Sequence, residues 1–453
     1  MTDSELIARY DTRVPRYTSY PTAPYFTKAV TSETYAAWLV DIGTDAALSL
    51  YIHVPFCDRL CLYCGCNTSV VRQERPRRDY AQLLSLEINM LADRLGRRAE
   101  LSHVHWGGGT PTCLPNDCLT GIMDLIRRRF NVRGDAEVAI EIDPTSFTAD
   151  KADALILMGV NRASLGVQDF DEKVQSAIGR MQSYEETKVC ADMLRAAGIH
   201  AINLDLIYGL PHQSEASVVR TAHQALELQA GRIAVFGYAH VPWMKRHQAL
   251  IPQDALPDTP ARFAQMQAIA QVLEKQGGYV PVGLDHYAKP DDAMAVALHE
   301  KSLHRSFQGY TTDEAPILLG VGASSIGSLP QGYVQNATSV PAYAAAINAG
   351  NFATVRGVAL TADDRLRRAV IEKIMCDLQV DLIAAAFAQA LDPAPLLAAA
   401  RGLNSLRHDG LVIWDGRKLT VTERGRPFVR NVAALFDAYL KVDEAAPKYA
   451  KAV

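Results

Sequence analysis

No stretch of about 18 apolar residues occurs in this 453-residue chain, and its first thirty residues hold no apolar core ahead of a cleavage site. Neither a membrane span nor a secretory leader is therefore expected. Positive charge is not in excess: 46 basic against 50 acidic residues leave a net charge of −4, so no bulk field favours nucleic acid. Any anionic ligand must then be met by local arginines. Cysteine is sparse, with eight residues, four of them inside one loop, which excludes the spread-out disulfide framework of a small secreted domain. A cytoplasmic, reducing setting is expected, and Cys113, Cys118, Cys190 and Cys376 read as small buried hydrophobes. The glycine run Gly107-Gly-Gly-Thr-Pro111 lacks the Walker lysine and the spaced dinucleotide glycines, which excludes both established phosphate loops. The histidines form no ligand array, since His103 and His105 alternate on one strand and His299 and His304 are too far apart for one helical face. With 49% hydrophobic and 21% charged residues, disorder is excluded as the main state.

What is present is concentrated in ten residues. Cys57-Asp-Arg-Leu-Cys61-Leu-Tyr-Cys64-Gly-Cys66 follows the apolar run Leu48-Ser-Leu-Tyr-Ile-His-Val54. Three thiolates from one loop can each hold one iron of a cubic four-iron, four-sulfur cluster, leaving the fourth iron open to an amine and a carboxylate. S-adenosylmethionine carries both groups beside a sulfonium that a reduced cluster could cleave. Two other readings stay open at this point. Four thiols could close a structural zinc site, although zinc knuckles usually pair two separated C-x2-C hairpins, or could fully ligate a ferredoxin-type cluster.

From residue 48 onward, strand-like runs at 48–54, 101–106, 136–142, 161–167, 200–207, 232–238 and 279–284 alternate with amphipathic stretches at 77–98, 116–130, 149–158, 184–197, 214–228 and 259–277. That alternation predicts an α/β fold with parallel strands curled into a partial (β/α)6 barrel, ligands lying at the C-terminal ends of the strands. The strand tails carry suitable groups: the cysteine loop, the glycine run, Glu141 and Asp143, Gln168, Asp205, and Tyr238-Ala-His240. After a strand, bare glycine backbone can approach a ligand closely. Arg180 lies off the strands, where a solvated face is the ordinary fate of an arginine. Residues 1–47 read as a polar, irregular N-terminal arm and 48–354 as the barrel domain. Residues 355–453 read as a small, mainly helical domain in which helices at 361–376, 380–390 and 394–408 precede a hairpin and a closing helix near 426–441. That order resembles a winged helix, and the acidic balance favours a docking or lid role over DNA binding.

The cysteine loop with Tyr63 before Cys64, and the Gly-Gly-Gly-Thr-Pro run, resemble the radical S-adenosylmethionine superfamily. More narrowly, the chain resembles the oxygen-independent coproporphyrinogen III oxidases over essentially its whole length. The residues that carry this are the run 15–22 (Pro-Arg-Tyr-Thr-Ser-Tyr-Pro-Thr), the cysteine loop, and the runs 105–112, 166–170, 205–211, 285–292 and 304–312. The first and last distinguish it from haem-chaperone relatives, the alternative reading, which would hand over tetrapyrrole without turnover. The resemblance implies that Cys57, Cys61 and Cys64 ligate a 4Fe-4S cluster while Cys66 does not. It implies two S-adenosylmethionine molecules contacted by Tyr51, Tyr63, Gly108, Gly109, Thr110, Glu141, Gln168, Arg180, Asp205, Ala239 and Ile326, Tyr51 counting also among the catalytic residues; Ile326 lies in the loosest-matching segment. The implied reaction belongs to haem (porphyrin) biosynthesis. A deoxyadenosyl radical removes hydrogen from a propionate β-carbon, carbon dioxide and one electron leave, and two such rounds turn coproporphyrinogen III into protoporphyrinogen IX. Partners implied are an electron donor such as flavodoxin or ferredoxin, for a monomer that binds neither nucleic acid nor membrane. A substrate with four carboxylates needs cations, and Arg16 and Arg305 are the candidate clamps, because guanidinium pairs bidentately with carboxylate.

Overall fold

The structure is a computed structural model that describes residues 2–43, 46–440 and 449. Six parallel strands form its centre in the order β1 (Leu48–Val54), β2 (Glu100–Gly108), β3 (Asn131–Ile142), β4 (Arg162–Gln168), β5 (Ala201–Tyr208) and β6 (Arg232–Gly237). Helices α1 (Glu74–Leu95), α2 (Asn116–Arg129), α3 (Ala149–Met158), α4 (Tyr184–Ala196), α5 (Glu215–Glu227) and α6 (Thr259–Gln271) follow the strands in turn, as the sequence alternation predicts. Their starts carry the expected signals. Ser183 and Ser214 close capping boxes on α4 and α5, and Asp258 accepts from Ala261 N at the head of α6, where Pro260 is placed without losing a bond.

The sheet is larger than six strands. At one edge the expected run 279–284 is an antiparallel pair, β7 (Val280–Val282) and β8 (His286–Ala288), joined to β6. At the other edge the sequence reading found nothing, yet β9 (Ile317–Val321) lies parallel to β1, followed by antiparallel β10 (Ile326–Leu329), β11 (Gly332–Asn336) and β12 (Thr354–Ala359). These strands are short and glycine-interrupted, with no helix between β9, β10 and β11, so the βα rhythm that reveals the others is missing. Outward-facing side chains such as Ile202, Leu204 and Leu206 of β5 are fully buried against the helices, each contributing on the order of 1.5–3 kcal/mol of transfer free energy.

The first forty residues are less irregular than their composition suggests. Helices Asp3–Tyr10 and Ser32–Val40 form there, the first started by a Thr2/Glu5 capping box and the second by Thr31. Leu6, Ile7 and Tyr10 bury one face of the first helix in a second core shared with Ile374, Leu403 and Phe428 of the C-terminal part. That part consists of helices Ala362–Asp377, Leu382–Phe387, Ala394–Ala399 and Leu403–His408 around a three-stranded sheet. Its hairpin, Val412–Trp414 with Lys418–Val421, lies where expected, while a third strand, Gln379–Asp381, is too short to leave a pattern. The closing helix is confined to Val429–Ala434, and the end of the expected span, residue 441, lies outside the described residues.

Polar bonds lock the arm onto this second core. Tyr10 donates to the Asp409 carboxylate at 2.5 Å, and Arg430 Nε donates to Pro15 O at 3.0 Å. Arg9 also pairs with Asp409 at 3.0 Å, from a half-exposed position. Replacing Tyr10 with Phe should leave the buried Asp409 short of a partner and lower unfolding stability by about 1–3 kcal/mol. A denaturant midpoint equal to the parent's would show that this bond does not hold the arm.

Candidate active site

Alternation along the strands decides what faces the barrel interior, because successive side chains point to opposite sides. On β4, Ala163, Leu165 and Val167 are buried outward, and Arg162, Ser164, Gly166 and Gln168 line the interior; on β5, Asn203, Asp205 and Ile207 do the same. The result is a cavity of about 900 Å³ into which these polar side chains point. Its lower end is occupied by Arg162, 2.8 Å from Glu137 and 3.1 Å from Asn203 Oδ1, and by Arg232, 2.6 Å from Asp292. Its upper end is the C-terminal rim of the strands, where the cysteine loop sits.

Cys57, Cys61 and Cys64 all line that rim. The glycine run lies directly against the loop: Gly109 N donates to Val54 O and Thr110 N to Phe56 O, each at 2.8 Å. A Cβ on Gly109 would stand 2.6 Å from Phe56 O and 2.9 Å from Cys57 Sγ, and one on Gly108, at φ +118°, would stand 2.6 Å from the His53 ring. Glycine is thus required for the two segments to meet. The donor set fits an iron–sulfur cluster, with three thiols on one cavity rim and hydrogen-bond donors beside two of the sulfurs. Thr110 Oγ1 is 3.7 Å from Cys57 Sγ, and Arg180 Nη1 is 3.6 Å from Cys61 Sγ. Burial pushes the Cys57 thiol up to about 11 against the Thr110 bond, while Cys64 is drawn down to about 6, chiefly by a hydrogen bond with Cys66.

Arg180 departs from the solvated position usual for its type. It is 7% exposed, donates to Gly166 O at 2.9 Å, and pairs with Asp143 at 3.2 Å. Glu141 and Asp205 face the same space with opposite tendencies. Burial raises Glu141, but His105, 3.5 Å away, and the Gly108 N–H at 3.0 Å outweigh it and hold the carboxyl below its ordinary range. Burial, with repulsion from Glu141 second, lifts Asp205 up to about 6, and its Oδ2 accepts from Ser164 at 3.2 Å.

Of the residues singled out from sequence, Tyr63, Gly108, Gly109, Thr110, Glu141, Gln168, Arg180, Asp205, Ala239, Arg16 and Arg305 line this one cavity with the three cysteines. Tyr51 and Ile326 are not part of its lining. Tyr51 stacks on His105 with centroids 5.8 Å apart and has its hydroxyl 3.0 Å from His53 Nδ1. Ile326 packs beside Phe26, Tyr333 and Leu360. Arg16 Nη2 donates to Gly237 O at 2.8 Å. Arg305 donates to Arg16 O from Nε (3.2 Å) and Nη2 (3.1 Å), and its buried Nη1 has no partner among the described residues. Cys118 is half-buried, whereas Cys113, Cys190 and Cys376 are buried as expected.

Sequence reasoning missed the segment after β6 that braces the cysteine loop. Gln248 Nε2 donates to Tyr63 O, Lys245 Nζ to Cys66 O, and His247 Nε2 meets Cys64 O, each at 2.8 Å. Nothing in their spacing marks these side chains, which are some 180 residues from their partners. Gly109→Ala should displace Cys57 and Gln248→Ala should loosen the loop. Iron and sulfide content per chain after anaerobic reconstitution should fall sharply in the first and partly in the second, and full loading of Gly109→Ala would refute the close-contact argument.

Residues 51–225 match the radical SAM superfamily, and residues 360–428 match the HemN C-terminal domain. The oxygen-independent coproporphyrinogen III oxidase of Bradyrhizobium diazoefficiens is 52% identical over 94% of this chain and 95% of its own. That of Salmonella typhimurium is 39% identical over 97% and 96%. A solved structure described as coproporphyrinogen III oxidase from Escherichia coli, a radical SAM enzyme, superposes with a TM-score of 0.91 at 37% identity, covering 97% of this chain and 99% of that one. These relatives carry the oxidase's name, which leaves the haem-chaperone reading without support. The matched superfamily uses a 4Fe-4S cluster and S-adenosylmethionine, which decides among the three readings of the cysteine loop. Among the described residues no helix is long and apolar enough to cross a membrane. The chain belongs to the radical S-adenosylmethionine superfamily and, within it, to the oxygen-independent coproporphyrinogen III oxidases.

Proposed function

We propose that the chain converts coproporphyrinogen III to protoporphyrinogen IX without oxygen, in the cavity that opens between the cysteine loop and Arg305. The observation that carries this is the meeting, in one cavity, of three thiols from the loop after β1, carboxylates from β3 and β5, and arginines from the arm and from residue 305. When bound, a cluster held by Cys57, Cys61 and Cys64 together with S-adenosylmethionine supplies the deoxyadenosyl radical that takes hydrogen from a propionate β-carbon. The chain's own residues bind and orient. Glu141, kept ionised by His105 and the Gly108 N–H, suits an ammonium group, and Asp205 with Gln168 suits ribose hydroxyls. Arg180, buried beside Cys61, suits a carboxylate. In this reading the eleven residues named from the resemblance serve two S-adenosylmethionine molecules, with Tyr51 acting through the His53 and His105 side chains it touches.

Arg16 and Arg305 meet substrate carboxylates at the mouth, where the arm covers the barrel. Arg305 combines a tether, through Arg16 O, with one donor left to give. Enclosure by arm and C-terminal part keeps water from the reacting carbon and holds it near the radical source. The reading carries with it a cytoplasmic monomer supplied by a one-electron donor such as flavodoxin or ferredoxin.

Anaerobic reconstitution with iron and sulfide, followed by assay of methionine release and vinyl formation, tests it. Absence of protoporphyrinogen from a fully loaded, reduced enzyme would overturn it. Arg16→Ala should retain its iron and lose about tenfold or more in kcat/KM, the scale of one charge-assisted pair. Unchanged KM in both Arg16→Ala and Arg305→Ala would dismiss the arginine clamp.

A further inference from the structure

A second, smaller pocket of about 350 Å³ lies behind the end of β6, bounded by the arm, α6 and the start of the C-terminal closing helix. It shares Arg16 and the segment Gly237 to Ala239 with the large cavity, so the two adjoin there. Four guanidinium groups line it, from Arg13, Arg16, Arg262 and Arg430. Only two carboxylates do, and both are engaged. Asp258 caps α6 by accepting from Ala261 N at 2.9 Å, and Asp285 lies 2.7 Å from His286 Nδ1. Arg430 and Arg16 give donors to main-chain oxygens of Pro15 and Gly237.

Arg13 and Arg262 differ from these. Arg13 stands over the Trp243 ring at 5.5 Å and Arg262 over the Tyr208 ring at 5.7 Å, and neither guanidinium has a hydrogen bond or ion pair among the described residues. A guanidinium without a hydrogen-bond partner has N–H groups to give, and a carboxylate takes such a group bidentately. A walled pocket with such an excess of positive charge calls for an anion.

We propose that this pocket is a carboxylate subsite in which Arg262, with Arg13, receives a propionate of the tetrapyrrole that is not being decarboxylated. The assignment rests on the proposed reaction, in which two of four propionates survive and must be held while the others react. Arg16, where the two cavities adjoin, stands between the reacting and the retained carboxylates.

The test compares the reconstituted parent with Arg262→Gln, Arg262→Lys and Arg13→Gln. The readouts are KM and kcat for coproporphyrinogen III, with iron content and thermal midpoint as checks on folding. Arg262→Gln should raise KM about tenfold or more, the scale of one lost charge-assisted bond, with a smaller change in kcat. Arg262→Lys should recover part of the loss, because it restores charge without the fork. A KM within about twofold of the parent's in both glutamine variants would overturn the subsite, since the scale argued for one such bond is several times larger. Added sodium propionate should compete with substrate in the parent and not in Arg262→Gln. If propionate instead alters kcat without competing, the pocket takes a free carboxylate from solution and the assignment to substrate is wrong. A parent that makes no protoporphyrinogen would overturn the proposed reaction itself, a result distinct from any of these.

Discussion

Side-chain alternation along six parallel strands is the constraint on which the site depends. Each strand must bury one face against helices, and the large aliphatic residues of β4 and β5 claim that face completely. The remaining positions are left to the interior, and most of those are polar, Gly166 and Ile207 excepted. A one-residue slip of register would exchange Leu204 for Asp205 and put a carboxylate into the helix layer. The energy that closes the barrel is thus the same energy that aims Glu141, Gln168 and Asp205 at one space.

An interior of this kind must satisfy its charges, and it does so differently at its two ends. At the lower end Glu137, Arg162, Asn203, Arg232 and Asp292 pair with one another over short distances, although Arg232 Nη2 has no hydrogen-bond partner among the described residues. At the upper end the charged groups face the cavity. Glu141 and Asp205 are driven apart in proton affinity, and Arg305 Nη1 has no partner among the described residues. Charged groups that face open space at the C-terminal rim, where ligands bind in such barrels, distinguish a preorganised site from a plugged core.

Closure of that rim comes from elsewhere in the chain. The arm is held by the C-terminal core through Tyr10, Arg430 and Tyr17, and by the barrel through Arg305 and the Arg16–Gly237 bond. The segment after β6 meanwhile braces the cysteine loop from the side. The second core therefore does more than stabilise itself, because it positions an arginine-bearing strip over the cavity.

The sequence by itself determined the six βα units, their C-terminal rim and the thiol triplet. Those signals are local: periodicity of 2 and 3.6, capping residues, and spacing inside one loop. It also marked part of the cavity lining, the groups at strand ends and, through the resemblance, Arg16, Arg180 and Arg305. Only the tertiary structure decided the four strands from β9 to β12, the helices of the arm, and the bracing by Lys245, His247 and Gln248. It alone placed Arg180 beside Cys61 rather than in solvent, set Tyr51 and Ile326 off the cavity lining, and gathered four arginines around a second pocket. The physical reason is range. Short, glycine-interrupted strands carry no clear period, and a side chain that bonds a backbone oxygen about 180 residues away leaves no mark on its own neighbours.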